Sequence, residues 1–200
     1  MPRINADYRK DAKKKIIDAA VEVAVDDGWG GLTLESIAQK VGVTKGAFYS
    51  YFPNSMTLMQ DVIIAMITMM RDHAIVTLLD KDDIHAALDH LGNDIFLHPK
   101  SFLPVFIQAM ANIPKDPVFV EKISVLYEEN IAFFVSKIAR YQKNGQIPED
   151  TNLDDAARAI YCMTIGLALT THMMRKDGAT SKRVWVESAE RILGIDSVRQ

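Results

Sequence analysis

Along almost the whole chain apolar residues recur at three- and four-residue spacing, the period of one helix face, and no alternating run of comparable length competes. The pattern opens over 6–27, where Ile17, Ala20, Val21 and Ala24 share a face and Gly28 is placed to act as a left-handed C-cap. Two short helices follow, 34–41 behind Thr33 as N-cap and 45–52 closed by Pro53-Asn54. A long helix from 54 or 55 to 79 carries Met59, Ile63, Met66, Ile67 and Met70, and its apolar positions spread beyond one stripe, which predicts burial on two sides. Helices over 82–97 and 101–113 are separated at His98-Pro99. Asp116-Pro117 is an N-cap and N1 pair opening a helix that runs to 143 and ends at Gly145. Asn152 with Asp155 resembles a capping box for the next helix, which stops at Gly178, and a last helix spans 181–193 before Gly194. The expectation is an all-α chain of about nine helices without internal repeats. Three helices form a head over residues 1–53, and six form a body over 54–200.

The stretch from Thr33 to Phe52 reads as a helix-turn-helix. Ala38 is small where two helices cross closely, and Gly42, four residues on, takes the positive φ that the turn demands. With Ile37, Val41, Phe48 and Phe52 closing a small core, Lys45, Gly46, Tyr49 and Ser50 are left on the outward side of the second helix. In this motif that side enters the major groove.

The segment from about Ile16 to Val62 resembles the DNA-binding domain of the TetR family of transcriptional regulators. An apolar helix ends in Asp27-Gly28-Trp29, and Val43-Thr44-Lys45-Gly46-Ala47-Phe48-Tyr49-Ser50-Tyr51-Phe52 closely follows the family's Gly-Val-Ser-Lys-Gly-x-Leu-Tyr-x-His-Phe pattern. The resemblance implies that Thr33 caps the second helix and contacts a phosphate, and that Thr44 contacts another. It implies that Lys45 and Gly46, with Ala47 and Ser50 on the same helix, approach base edges. Tyr49 matches the family's phosphate-contacting tyrosine, and Tyr51 stands where the family often has histidine, also near the backbone. Ser55 and Met56 depart from the pattern, which usually has a lysine and then an acidic residue. Ser55 and the free amides around it remain able to hold a phosphate, and Arg9, Lys10, Lys13 and Lys14 are the cations expected to compensate.

Charge changes this picture only through its distribution. The net charge is -3, yet residues 3–15 hold six cations and two anions, a basic head on an acidic body. The bland alternative for the run from Arg9 to Lys15 is a solvated helix face. Cys162, the single cysteine, lies in an apolar helical pattern and reads as a buried, inert thiol in a reduced compartment. Met1-Pro2-Arg3 leads into charged residues rather than a signal-like run, and no segment is expected to approach the roughly 20 apolar residues of a membrane span. A cytoplasmic protein without a membrane partner is the expectation.

In the body, most of the ten methionines and eight phenylalanines gather along the helices. Met66, Met70, Phe102, Phe106, Met110, Phe134, Met163 and Leu167 are candidates to line a cavity for a hydrophobic small molecule, against the plainer reading of helical core. Tyr161, Thr164 and His172 are candidates to orient a polar group of that ligand. The resemblance further implies a homodimer formed by the last two helices, whose two heads read a palindromic operator on double-stranded DNA. Ligand binding then favours a conformation that releases DNA. No catalytic residues, cofactor or metal are expected: there is no phosphate-binding glycine loop, zinc cysteine pair or nucleophile elbow, and the five histidines form no pair of metal-ligand spacing. The expected function is a ligand-released repressor. The alternatives left open are an activator of the same fold and a small-molecule binding protein with a vestigial helix-turn-helix.

Overall fold

A computed structural model describes residues 6–98, 103–111 and 116–195, with side chains from residue 8 onward. Among the described residues there are nine α-helices and no strand: α1 (Ala6–Asp27), α2 (Leu34–Val41), α3 (Lys45–Phe48), α4 (Ser55–Asp80), α5 (Ile84–Phe96), α6 (Leu103–Ala111), α7 (Pro117–Lys143), α8 (Leu153–Ala168) and α9 (Gly178–Leu193). The fold class expected from periodicity is the one found.

The caps explain most boundaries. Thr33, Asn54, Asp83, Asp116, Asn152 and Asp177 each accept a hydrogen bond from a backbone N–H in the first turn of the helix they precede. Gly42 ends α2 in the left-handed region, at φ 75° and ψ 31°, and its N–H and that of Val43 both donate to the Ala38 carbonyl. Gly28 closes α1 differently from expectation. Its φ is 75° but its ψ is 170°, a region held without strain essentially by glycine alone, and a short 3-10 turn (Trp29–Gly31) follows.

Two expected elements are corrected. The second helix of the helix-turn-helix is regular only over Lys45–Phe48, because Ser50 and Tyr51 donate their N–H groups three residues back and the Ser50 hydroxyl binds the Ala47 carbonyl. The helix over 153 onward does not run to Gly178: after Ala168 it widens into a π turn (Leu169–Met173), and Arg175 takes a positive φ of 52°. Gly178 then begins α9, three residues before the expected start. A Cβ there would lie 2.6 Å from the Phe96 carbonyl oxygen, so this glycine permits the end of α5 to approach the start of α9. Part of the helix expected over 101–113 falls outside the described residues.

α4 joins head to body. It packs on α1, α5, α6 and α7, with Leu58, Val62, Ile63 and Met66 buried, as its two-sided pattern predicted. By length and composition alone it is long and apolar enough to cross a membrane, with mean hydropathy 1.7, which corrects the expectation that no segment approaches that limit. A core helix has the same signature, and four helices of this fold cover it. Its C-terminal carbonyls are clamped by α7: Arg140 donates to Leu78 O at 2.7 Å, to Leu79 O at 3.2 Å and to Lys81 O. The Tyr141 hydroxyl, fully buried, lies 2.7 Å from both Leu78 O and Lys81 O. These are the groups a helix end otherwise leaves unsatisfied.

Cys162 is exposed, contrary to expectation, on an open face of α8 and its π extension shared with Ala159, Gly166, Leu169 and Met173. The residues alternate with the buried ones at helical spacing, and apolarity alone did not tell the inward stripe from the outward one.

Candidate nucleic-acid interface and ligand cavity

The helix-turn-helix presents its outward face as the packing of its inward face requires. Ile37, Phe48 and Phe52 are buried and Val41 is half-buried at the edge of the same cluster. That leaves Thr44, Lys45, Gly46, Tyr49 and Ser50 exposed, with Tyr49 at 61% exposure standing off the surface. Ala47 and Tyr51 are half-buried beside them.

Thr33 forms a reciprocal cap with Ser36, its hydroxyl accepting from Ser36 N at 3.1 Å while the Ser36 hydroxyl accepts from Thr33 N at 3.0 Å. Thr44 stands at the N-cap of α3 without using its side chain for the cap. The Lys45 ammonium pairs with Glu35 at 3.0 Å, an exposed ion pair of small energy. Ser55 is exposed at the first position of α4, behind the Asn54 cap.

The basic run divides into different jobs. Arg9 donates to Ser50 O at 2.8 Å, so it braces the end of the recognition segment against α1. Lys13 pairs with Asp61 of α4 at 2.7 Å and lies 5.0 Å from the Phe52 ring centre. Lys14 pairs with Asp18 at 2.7 Å along its own helix, and Lys10 is exposed. Arg9 therefore ties α1 to the end of the second helix of the motif and Lys13 ties α1 to α4, roles spacing alone did not reveal.

The body holds two adjoining cavities, of about 170 and about 320 Å³, which share Ile67, Phe106, Asn130, Tyr161 and Ile165 in their walls. The larger is within the usual range for small-molecule sites. Of the residues singled out from sequence, Met70 and Phe134 line the smaller lobe, Met110 the larger, and Phe106 both. Met66 is fully buried in the core, and Met163 and Leu167 are half-buried on α8; none of the three lines either lobe. Phe102 lies outside the described residues.

The polar candidates also separate. The Thr164 hydroxyl donates to Ile160 O at 2.7 Å and accepts from the Trp185 indole at 2.7 Å. His172 Nε2 lies 3.0 Å from Ile95 O. Tyr161 lines both lobes, stacks edge-on against Tyr127 with ring centres 5.2 Å apart, and has its phenol held above the ordinary range, by burial first and by Tyr127 second. Sequence reasoning missed Arg71, Tyr127 and Asn130. The available signals were a cation inside the apolar run of α4 and an asparagine at an inward position of α7.

One element touches both regions. α6 carries Phe106 and Met110 on the cavity walls, and its Gln108 accepts from the Trp29 N–H of the head at 3.2 Å.

Residues 16–62 match the family described as "Bacterial regulatory proteins, tetR family". Over 63 residues, 32% of this chain and 47% of the relative, the sequence is 43% identical to an uncharacterized HTH-type transcriptional regulator, TtgW, of Pseudomonas putida. Over 63 residues, 32% of this chain and 30% of the relative, it is 41% identical to the HTH-type transcriptional regulator SrpR of Pseudomonas putida. The chain spans less than half the length of these curated relatives. Its fold is similar to that of the transcriptional regulator FadR from Bacillus subtilis, solved in complex with stearoyl-CoA, with a TM-score of 0.66 at 19% identity over 88% of this chain and 96% of that one. At that identity the likeness is one of fold.

Proposed function

We propose, since the chain belongs to the TetR family of bacterial regulatory proteins, that it is a DNA-binding transcriptional regulator: a cytoplasmic repressor whose homodimer holds a palindromic operator and lets it go when a hydrophobic small molecule enters the body. The observation that carries the reading is the outward face of α3. Lys45, Gly46 and Tyr49 are exposed together on a helix-turn-helix whose inward face is closed by Ile37, Phe48 and Phe52.

In this reading residues 1–53 are the DNA-binding head and residues 54–200 the sensing and dimerising body. Lys45 and the bare backbone of Gly46 meet base edges, with Ala47 and Ser50 alongside. Thr33, Thr44, Tyr49, Tyr51 and Ser55 fix the head to phosphates. Lys10 and Lys14 add long-range attraction, Arg9 holds α1 against the recognition segment, and Lys13 holds it against α4. The open face of α8, with Ala159, Gly166 and Leu169, supports a two-fold interface that sets the heads one DNA turn apart.

The ligand part rests on the two-lobed cavity, whose proposed contacts are Met70, Phe106, Met110 and Phe134, with Phe102 on the same segment. Met66, Met163 and Leu167 belong to the surrounding core and are not proposed as contacts. A fold relative holding stearoyl-CoA favours an apolar ligand. A molecule filling the cavity moves α6 and α4, and through Gln108 and Trp29 shifts the population of head orientations.

Fluorescence anisotropy tests the DNA reading, with the full chain on duplex from upstream of its own gene and on scrambled duplex, across a salt series. The expected result is tight binding to the upstream duplex alone, weakened by salt and by Tyr49→Phe and Lys45→Ala. Weak, equal binding to both duplexes, with no enrichment in a random-sequence selection, overturns it in favour of a ligand-binding protein with an idle head.

A further inference from the structure

The polar groups at the junction of the two lobes are arranged for one kind of ligand atom. Asn130 is 3% exposed and lines both lobes. Its Oδ1 accepts from Arg71 Nη1 at 3.5 Å, and since a guanidinium only donates, the amide's carbonyl end must face Arg71. The Nδ2 end is thereby turned away from α4, and it has no hydrogen-bond partner among the described residues, nor does the hydroxyl of Tyr161, which lines the same two lobes. Polar groups enclosed in folded proteins find a partner as a rule, so the donor left open on buried Asn130, with the half-buried Tyr161 hydroxyl on the same cavity walls, marks where a ligand supplies the acceptor.

Arg71 adds the charge. It is the single charged side chain on the described walls of either lobe. Asp72 takes its Nε and Nη2 through Oδ1, at 2.9 and 2.8 Å, and the Phe133 ring lies 5.5 Å from its guanidinium carbon, which leaves Nη1 directed at Asn130. A cation one hydrogen bond behind an open donor pair favours an anionic oxygen over a neutral one. The rest of the wall is mostly apolar, including Ile67, Leu88, Phe106, Ile138 and Trp185, which favours a ligand that is apolar apart from one polar group.

We propose that the cavity takes an apolar molecule bearing a single carboxylate, whose oxygens are bound at the junction by Asn130 Nδ2 and the Tyr161 hydroxyl, with Arg71 orienting the amide and supplying the positive field. This rests on the apolar-ligand reading above and names the chemistry of that ligand. The apolar remainder extends into both lobes, over Met70 and Phe134 on one side and Met110 on the other.

The test uses the full-length protein and three probes: decanoate, decanamide and the neutral dye N-phenyl-1-naphthylamine. Calorimetry gives the affinities, and emission from Trp185, which lines the smaller lobe, reports entry. Asn130→Asp and Tyr161→Phe are compared with wild type after thermal melts show that each is folded. The expected result is that decanoate binds at least about tenfold more tightly than decanamide. Asn130→Asp, which removes the Nδ2 donor and sets a carboxylate of the ligand's own sign beside Arg71, abolishes that preference while leaving dye binding intact. Tyr161→Phe weakens decanoate about tenfold by removing one hydroxyl. Equal affinity for decanoate and decanamide, unmoved by either variant, overturns the carboxylate assignment and leaves the apolar-ligand reading standing. Failure of all three probes, the dye included, overturns both.

Discussion

A methyl group at Gly46 would meet nothing nearer than the Thr44 hydroxyl oxygen, 3.9 Å away, so the fold itself leaves room for a side chain there. Gly46→Ala is therefore expected to leave the folding stability unchanged or to raise it by up to about 1 kcal/mol of helix propensity, read as an unchanged or higher melting temperature. On the proposed interface it lowers operator affinity about tenfold, because the methyl stands where the backbone meets the groove; anisotropy and a thermal melt on the same sample check both halves. Asp177 acts in the opposite sense. Its carboxylate accepts from the Thr180 hydroxyl at 2.6 Å and the Thr180 N–H at 2.8 Å, and these two bonds, in that order, hold its pKa below the ordinary range. A carboxyl whose pKa is lower folded than unfolded contributes its full stability above the unfolded value and loses it as the pH falls through the folded one. The gap in melting temperature between wild type and Asp177→Ala is thus expected to be full at pH 7 and to narrow below about pH 4, whereas the gap between Asp177→Asn and Asp177→Ala does not change with pH. The Thr33 cap and the Gly42 turn were legible in the sequence because each acts within a few residues of its own position. Asn130 and Arg71 were not, since they lie 59 positions apart and only tertiary packing sets one against the other.

At the scale of elements, caps made the boundaries readable and close approaches made them misread. Asp116-Pro117 fixed the start of α7 because the cap and the proline act on the same turn. Gly178 looked like a helix terminator, yet it begins α9, because its lack of a side chain serves a contact with Phe96 O on α5. Gly178→Ala is accordingly expected to destabilise the protein by about 1–3 kcal/mol, as overpacking against rigid backbone does, read by urea denaturation. Gly166→Ala is the control. No heavy atom lies within 4 Å of a Cβ there, so the monomer fold is predicted to be unharmed or slightly stabilised. The early end of regular α3 and the π turn after Ala168 escaped the sequence for a common reason: both keep helical periodicity while the hydrogen-bond register shifts by one residue, which a pattern of apolar positions does not record.

For the whole molecule, the open α8 face and the head make linked predictions. Gly166→Glu puts a carboxylate into the proposed two-fold interface, so light scattering is expected to find one copy where wild type gives two. Operator affinity falls in parallel, and Cys162, on the same face, reacts faster with a thiol reagent than in wild type. Wild-type monomers with unchanged Cys162 reactivity in the variant would remove α8 from the interface. The clamp of Arg140 and Tyr141 on the end of α4 bears on how such a dimer responds. With Leu78 and Leu79 tied to α7, that end of α4 is a fulcrum and the 26-residue helix is a lever. At 1.5 Å per residue, Arg71 at the cavity wall sits about 12 Å from the fulcrum and Leu58 beneath the head about 31 Å. On the proposed ligand response, a displacement of the cavity wall by about 1 Å is expected to swing the head by about 2.5 Å, a gain set by where along one helix the clamp and the cavity fall.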